Sequence, residues 1–188
     1  DSLKGKKVAM QGFGKVATYT AHHLIKEDSQ IVVTDINEEA LDRARKLGLP
    51  VVAPDEIYDV ECDIFSPCAL GGVINPDTIP RITARVIAGG ANNQLLTEAD
   101  GEELHRRGVL YAPDYLINAG GIINVSAEIG ALYNADRARE KTERIYEIMS
   151  RVAQVSQKEE ISTAKAADRI AERRLASVRA IKPIYRSR

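Results

Sequence analysis

The stretch KVAMQGFGKVA, residues 7–17, decides the fold of this chain. Its apolar start predicts a buried strand, and apolar residues at 16–25 recur at helical spacing. Between strand and helix stands a G-x-G-x-x-A turn, in which Gly12 permits a tight bend and Ala17 lets the helix lie close to the strand. Gly14 has no Cβ to keep a diphosphate off the backbone, and the N–H groups at the helix start face that diphosphate. The stretch therefore predicts a dinucleotide-binding turn.

A second predicted strand, IVVT at residues 31–34, ends at Asp35, which lies 18 residues beyond Ala17. A dinucleotide fold places at this point the carboxylate that binds the adenosine ribose hydroxyls. The charge of Asp35 would repel a 2′-phosphate, and Ile36 and Asn37 supply no arginine to hold one. We therefore expect NAD in preference to NADP. A structural turn without a ligand is the alternative interpretation.

The composition is that of an ordinary globular protein. The 188 residues are 44% hydrophobic and 28% charged, which suits a single domain. The formal net charge is −1, from 26 basic and 27 acidic residues, so charge gives no case for a nucleic acid or an anionic membrane as partner. No apolar run approaches the ~20 residues of a membrane helix. The N-terminal segment is predicted to be a linker rather than a signal peptide.

The cysteines and histidines do not predict a metal site. Cys62 and Cys68 flank a predicted strand, which would hold them too far apart for a disulfide. The histidines His22, His23 and His105 lie in helical patterns without ligand spacing. Reduced thiols favour a cytoplasmic protein.

Strands alternate with helices or crossover loops along most of the chain. Apolar runs predict strands at residues 8–10, 31–34, 51–52, 63–65, 86–88 and 109–112. Asn37 can cap a second helix that ends at Gly48. The alternation predicts an α/β fold of the Rossmann type, a doubly wound, mainly parallel six-stranded sheet with helices on both faces. Two long amphipathic helices at about 134–159 and 162–181 follow, and we expect one dinucleotide-binding domain over residues 1–188.

Small residues and amides follow several predicted strands. The segments are PCALGG at 67–72, GGANNQ at 89–94 and DYLINAGG at 114–121. Ligands of open parallel sheets bind beyond the carboxyl ends of the strands. Turn chemistry alone explains the glycines equally well. It explains Asn92, Asn93 and Gln94 less well, because a turn needs one amide and not three, and carboxamides can pair with a nicotinamide amide or a substrate carboxylate.

Several of these motifs, in this order, resemble the cofactor domain of the Glu/Leu/Phe/Val amino-acid dehydrogenases, leucine dehydrogenase in particular. The resemblance implies an oxidoreductase that uses NAD in the oxidative deamination of an apolar L-amino acid, branched-chain or aromatic, to its 2-oxo acid and ammonia, and in the reverse reaction. It runs from about Leu3 to Arg179 and rests on GFG at 12–14, VTDIN at 33–37, CALG at 68–71, ANNQL at 91–95, YAPDY at 111–115 and INAGG at 117–121.

The resemblance also implies roles for individual residues. Asn93 would contact the substrate carboxylate, while Ile122 and Val125 would line the pocket for the substrate side chain. Asn118 and the turn at 68–70 would lie along the nicotinamide half of the cofactor. The expected cofactor-binding residues are Gly12, Phe13, Gly14, Lys15, Val16, Asp35, Ile36, Cys68, Ala69, Leu70, Ala91, Asn92 and Asn118.

Some features depart from the family's pattern. Ala17 stands where the family often has glycine, and Lys15, where it often has asparagine, would reach the diphosphate or be solvated. The family's chemistry uses two lysines and an aspartate on a preceding substrate domain, and no lysine here lies in such a motif. We therefore expect no catalytic residue in this chain, a missing substrate domain, and cofactor binding without turnover. Assembly into an oligomer stays open.

Two other classes of protein share part of this pattern. A non-catalytic NAD-sensing regulatory module would use the same glycine turn but has no need of the amides at 92–94. An S-adenosylmethionine methyltransferase also combines a glycine turn with an acid after the second strand. The dinucleotide spacing of the turn and the helical C-terminal third count against it.

Overall fold

The computed structural model describes residues 2–129 and 133–181, and within them the chain forms an α/β fold around a parallel sheet of five strands, in the order β2-β1-β3-β4-β5. The strands are β1 (Lys7–Gln11), β2 (Gln30–Thr34), β3 (Ile64–Pro67), β4 (Val86–Ile87) and β5 (Leu110–Tyr111). The helices are α1 (Lys15–Lys26), α2 (Glu38–Lys46), α3 (Glu98–Arg106), α4 (Asp114–Ile117), α5 (Gly120–Ser126), α6 (Ala135–Glu159) and α7 (Thr163–Ile181), with a 3-10 helix at Glu56–Asp59.

The strand order fixes where a ligand can bind. Chain connections run outward in opposite directions from β1, first to β2 and then to β3. Such sheets bind ligands in the crevice beyond the carboxyl ends of the strands, at the point where this direction reverses. The segments that follow β1 and β3 therefore form the middle of the candidate site.

The prediction of six strands is wrong, because residues 51–52, the third predicted strand, do not form one and the sheet has five strands. Among the described residues, Val51 forms only an isolated bridge to Val33. The Pro50 carbonyl accepts the Val33 N–H at 2.9 Å, and the Val52 N–H donates to the Val33 carbonyl at 3.0 Å. Proline has no N–H with which to extend the ladder, and Pro54 directs the chain towards the 3-10 helix. The two valines thus cover the edge of β2 without becoming a strand.

Each face of the sheet buries an apolar cluster. Met10 and Val33 point to the face covered by α1 and α2, where the small residues Ala17 and Ala44 let the helices approach closely. The opposite face carries Ala9, which packs with a second buried cluster. The other members of that cluster are Ile57, Phe65, Ile74, Ile79, Ile82, Ala84, Ile87, Leu104 and Tyr111.

Capping side chains set several helix starts. The Asn37 side chain accepts the N–H groups of Glu39 and Ala40 at 2.8 and 3.4 Å, so the predicted cap of α2 is confirmed. The start of α3 is set by a capping box that Thr97 and Asp100 form. The Asp100 carboxylate accepts the Thr97 N–H at 2.7 Å, and α3 begins at Glu98, directly after Thr97.

The helices α6 and α7 form a hairpin that packs beside β5. Val152, Ala166 and Ala167 are buried between them, and the turn contains Glu160 at φ 51°. The Thr163 hydroxyl donates to the Tyr111 carbonyl at 2.5 Å, which fastens the start of α7 to the sheet. Both helices lie within a residue of the predicted bounds. No helix in the described ranges is both long and apolar enough to span a bilayer.

Candidate functional site

The glycine turn between β1 and α1 treats its two glycines differently. Gly12 has φ 93°, and a Cβ there would lie 2.7 Å from the Ala69 Cβ and 2.8 Å from the Ala69 nitrogen. Only glycine fits this position. Gly14 has φ −71°, and a Cβ there would meet nothing within 4 Å. The fold therefore requires Gly12, whereas Gly14 leaves open space beside the backbone that a ligand can fill.

The start of α1 is suited to an anion. Gly14 is its N-cap, no side chain caps it, and its first turn holds no acidic residue. The N–H groups of a first helical turn have no intrahelical acceptor and carry the positive end of the dipole. Lys15 and Val16 are both exposed beside this turn, Val16 by 57%. A diphosphate at Gly14 would meet free donors and one nearby cation.

The Phe13 side chain lies in the core rather than in the site. It is 0% exposed and packs in the cluster under α1 and α2. Its N–H donates to Asp35 Oδ2 at 2.6 Å, and its carbonyl accepts from Arg43 Nη2 at 3.2 Å. Any contact of Phe13 with a cofactor would therefore involve its backbone and not its side chain. The sequence gives no signal for this contact of Arg43, because it joins helix α2 to a turn that is distant along the chain.

Asp35 keeps acceptor positions for a ligand. Its Oδ2 accepts the Phe13 N–H and its Oδ1 accepts the Asn37 N–H at 2.8 Å. Each carboxylate oxygen has two acceptor positions, so each can still accept one hydroxyl. Ile36 beside it is 89% exposed and Leu70 is 73% exposed. A cavity of about 280 Å³ is lined by Gln11, Gly12, Thr34, Asp35, Ile36, Pro54, Tyr58, Ala69, Leu70 and Val73.

The turns after β3 and β4 are in close contact. A Cβ at Gly89 would lie 2.1 Å from the Pro67 carbonyl oxygen, so this position also requires glycine. The Cys68 Sγ accepts the Gly90 N–H at 3.3 Å and lies 3.5 Å from the Ser66 hydroxyl. Burial raises the pKa of the Cys68 thiol, which keeps it protonated at neutral pH. Cys68 therefore shapes the wall of the site and is not an activated nucleophile.

Gln94 supports the loop after β4 from inside. It is 0% exposed, and its Nε2 donates to the Gly89 and Ala91 carbonyls at 2.7 and 2.9 Å. Its Oε1 is buried and finds no partner among the described residues. Of the amides at 92–94, Gln94 therefore supports the loop rather than facing a ligand, because both of its amide hydrogens are donated to backbone carbonyls.

Asn118 joins the loops that follow β4 and β5. Its Nδ2 donates to the Gly90 carbonyl at 3.0 Å and to Asn92 Oδ1 at 2.7 Å. Asn92 is exposed and Ala91 is buried. The structure thus brings these three predicted residues together at the same edge of the sheet as the turn at Cys68.

Asn93 is held by its backbone and leaves its side chain exposed. It has φ 53°, in the left-handed region. Its N–H donates to Asp114 Oδ2 at 2.7 Å, and its carbonyl accepts the Gly72 N–H at 2.7 Å. The Asp114 carboxylate also accepts the Tyr111 hydroxyl at 2.7 Å, and burial together with this bond raises the pKa of Tyr111. Asp114, the first residue of α4, therefore connects the loop after β4 to the segment after β5 through its carboxylate.

The helix α5 presents an exposed apolar surface. Ile122 and Val125 are 73% and 61% exposed on this helix, and Ile129, which follows the helix, is 78% exposed. Ile122 and Val125 are three residues apart, a spacing that places them on one side of the helix. Within this chain they form an open surface rather than an enclosed pocket.

The remaining candidate ligands lie apart. Both Cys62 and Cys68 are free thiols. His22 and His23 are exposed on α1, and His105 lies on α3. In the part of the chain that the structure describes, no three His, Cys, Asp or Glu side chains are grouped so that they could hold a metal ion.

Comparison with known proteins identifies one family of amino-acid dehydrogenases. The family model for Glutamate/Leucine/Phenylalanine/Valine dehydrogenase matches residues 33–182. The leucine dehydrogenase of Bacillus cereus is 48% identical over 186 residues, 98% of this chain and 50% of the relative. The phenylalanine dehydrogenase of Bacillus thermotolerans is 43% identical over 181 residues, 93% of this chain and 47% of the relative.

A solved structure from the same group of enzymes has a similar fold. The L-tryptophan dehydrogenase from Nostoc punctiforme superposes with a TM-score of 0.87 at 43% identity, over 94% of this chain and 52% of that protein. The chain therefore spans about half the length of the relatives that it matches.

Proposed function

Because this chain belongs to the glutamate, leucine, phenylalanine and valine dehydrogenase family, we propose that it is the NAD-binding domain of an enzyme that reversibly deaminates an apolar L-amino acid. The relatives are named for leucine, phenylalanine and tryptophan, which all have apolar side chains. The product would be the 2-oxo acid and ammonia. The residues that activate water would lie on a substrate domain outside this chain.

The open space at Gly14, next to the uncapped start of α1, supports this function most. The Asp35 carboxylate adds free acceptor positions for a ribose. The diphosphate would lie against Gly14 and the first turn of α1. Asp35 would accept the ribose hydroxyls, and the adenine would lie between Ile36 and Leu70. The nicotinamide half would lie along Cys68 and Asn118, with Ala69, Ala91 and Asn92 beside them.

When bound, NAD⁺ supplies the hydride acceptor. The chain's own part is to hold that acceptor at one edge of the sheet and to exclude water from one side of it. Asn93 would donate its amide to the substrate carboxylate, since its backbone is fixed and its side chain is exposed. Ile122 and Val125 would cover part of the substrate side chain. A regulatory NAD-sensing module is not favoured, because the named relatives are dehydrogenases.

Isothermal titration of the purified chain with NAD⁺ and NADP⁺ tests the cofactor assignment. We expect NAD⁺ to bind at least about tenfold more tightly, because the Asp35 carboxylate repels a 2′-phosphate. Asp35→Ala should weaken NAD⁺ binding and relax the preference. Asp77→Ala, which removes an exposed carboxylate elsewhere, is the matched control and should change neither. Equal affinity of the unmodified chain for the two cofactors would contradict the assignment.

A further inference from the structure

Phe13 has an anion at one end of its backbone and a cation at the other. Its N–H donates to Asp35 Oδ2 at 2.6 Å, and its carbonyl accepts from Arg43 Nη2 at 3.2 Å. The Arg43 guanidinium and the carboxylate that would bind the adenosine ribose therefore both contact the backbone of the same residue. Asp35 and Arg43 do not pair with each other in the described structure, so each keeps its charge available at this corner of the site.

Among the described residues, no carboxylate of helix α2 pairs with Arg43. Arg45, two residues further along α2, forms salt bridges with the carboxylates of Glu38 and Asp42 at 2.5 and 2.8 Å. Arg43 is exposed, and within residues 2–129 and 133–181 the Phe13 carbonyl is its one hydrogen-bond acceptor. A guanidinium has five N–H donors, so most of those of Arg43 face solvent. This planar group is well suited to a phosphate, which it binds through two parallel hydrogen bonds.

We propose that Arg43 is a second specificity-determining residue of the dinucleotide site, which attracts a 2′-phosphate while Asp35 repels it. The proposal rests on the proposed function, since it presumes that a dinucleotide binds at Asp35. The sequence predicts no arginine for a 2′-phosphate because Ile36 and Asn37 follow Asp35, whereas Arg43 reaches the same turn from further along α2. The preference for NAD is then a balance between one anion and one cation. The chain needs only the loss of Asp35, and no added arginine, to accept NADP.

Calorimetric titration of NAD⁺ and NADP⁺ into four forms of the 188-residue chain tests this balance. Asp35→Ser keeps a hydroxyl for the Phe13 N–H and should raise the affinity for NADP⁺ at least about tenfold, so that NADP⁺ binds as tightly as NAD⁺ or better. Arg43→Gln keeps an amide donor for the Phe13 carbonyl and should weaken NADP⁺ about tenfold in either background. The affinity for NAD⁺ should change by less than about threefold with Arg43→Gln. The double variant should bind NADP⁺ weakly.

Two further variants separate a specific contact from a general loss of charge. Arg45→Gln removes one positive charge from the same helix and should leave the NADP⁺ affinity of the Asp35→Ser chain unchanged. Arg43→Lys keeps the charge and should retain part of that affinity, which also guards against a glutamine variant that folds poorly.

The outcomes distinguish this proposal from the proposed function. Binding of NAD⁺ with no gain of NADP⁺ affinity in Asp35→Ser would overturn the role of Arg43 alone. A gain that persists in the double variant, or that falls equally with Arg45→Gln, would overturn it too. Failure of the unmodified chain to bind either cofactor would overturn the proposed function, and the role of Arg43 with it.

Discussion

The buried carboxylate of Asp114 accepts a hydrogen bond from the backbone N–H of Asn93 across 2.7 Å. This bond joins the loop after β4 to the start of α4 and holds Asn93 at φ 53°. The same carboxylate accepts the Tyr111 hydroxyl, and the Tyr111 carbonyl accepts the hydroxyl of Thr163 on α7. The position of the proposed substrate-binding amide is thus fixed by a connected set of buried bonds that reaches the C-terminal helix.

Replacement of Asp114 should destabilise the fold. Asp114→Ala would leave the Asn93 N–H and the Tyr111 hydroxyl without their acceptor, and an unsatisfied buried donor costs about 1–3 kcal/mol. We expect the free energy of unfolding in urea to fall by about that amount. Asp168→Asn is the matched control, because the Asp168 carboxylate accepts the Tyr115 hydroxyl at the exposed surface. A loss no larger for Asp114→Ala than for this control would contradict the role of the Asn93 bond.

The two glycines of the turn should separate folding from binding. Gly12→Ala would force a Cβ to 2.7 Å from Ala69 at a φ of 93°, so we expect a clear fall in the free energy of unfolding. Gly14→Ala meets open space at a φ of −71°, so stability should change by less than about 1 kcal/mol. The same methyl group would occupy the space proposed for the diphosphate, and NAD⁺ affinity should fall at least about tenfold. Unchanged NAD⁺ binding in Gly14→Ala would place the diphosphate elsewhere.

The ion pairs of Arg81 should make stability depend on pH. Arg81 donates to Asp55 and Asp59, and its guanidinium lies over the Tyr58 ring at 5.3 Å from the ring centroid. Tyr58 is one of the residues that line the cavity beside Asp35. Its hydrogen bonds hold the pKa of both carboxyls below their usual value. A carboxyl with a lowered pKa in the folded state adds stability above its unfolded pKa, about 3.9, and loses it as the pH falls through the folded value.

Arg81→Gln should therefore lower the melting temperature at pH 7, and the difference from the unmodified chain should shrink as the pH falls below about 4. Melting curves followed by circular dichroism from pH 7 to 3 measure this. Arg106→Gln, which removes an exposed pair within α3, is the control and should show a smaller effect at pH 7. A difference for Arg81→Gln that stays constant across this range would show that the ion pairs add nothing.

The purified chain should bind NAD⁺ without turning over. Of the groups described, Asp114 uses both carboxylate oxygens for internal bonds, and the three histidines lie on α1 and α3 away from the strand ends. None is placed to activate a water molecule beside a substrate. We expect no NADH formation from leucine or phenylalanine above the blank, under conditions where titration shows NAD⁺ to be bound. Steady NADH production would mean that a residue of this chain serves as the base.

Local patterns predict the strands and caps well, because a buried parallel sheet produces short apolar runs and capping residues act on their own neighbours. They fail where a distant contact decides. Val51 and Val52 look like a strand, yet Pro50 and Pro54 allow only one bridge. The helix α5 begins at Gly120, and a glycine pair predicts a turn rather than a helix. No residue of α5 is buried, so packing on the core of this chain does not impose on its sequence the apolar stripe that would predict a helix.

The candidate site shows the same division. Gly12, Gly14 and Asp35 are recognised from spacing, because the turn needs small residues and the ribose needs an acid at a fixed distance. The roles of Gln94 and Arg43 come from side chains that reach backbone carbonyls of other turns, and only the packed structure reveals them. Residue type indicates that a side chain can form a hydrogen bond, but not which partner the fold supplies.

The exposure of Ile36 and Leu70 also determines the heat signature expected of the site. These side chains are 89% and 73% exposed beside the cavity at Asp35, so an adenine ring lying between them would release the water that covers them. Removal of apolar surface from water lowers the heat capacity of a complex. The enthalpy of NAD⁺ binding should then become steadily more favourable as the temperature rises, and Ile36→Ser should flatten that slope.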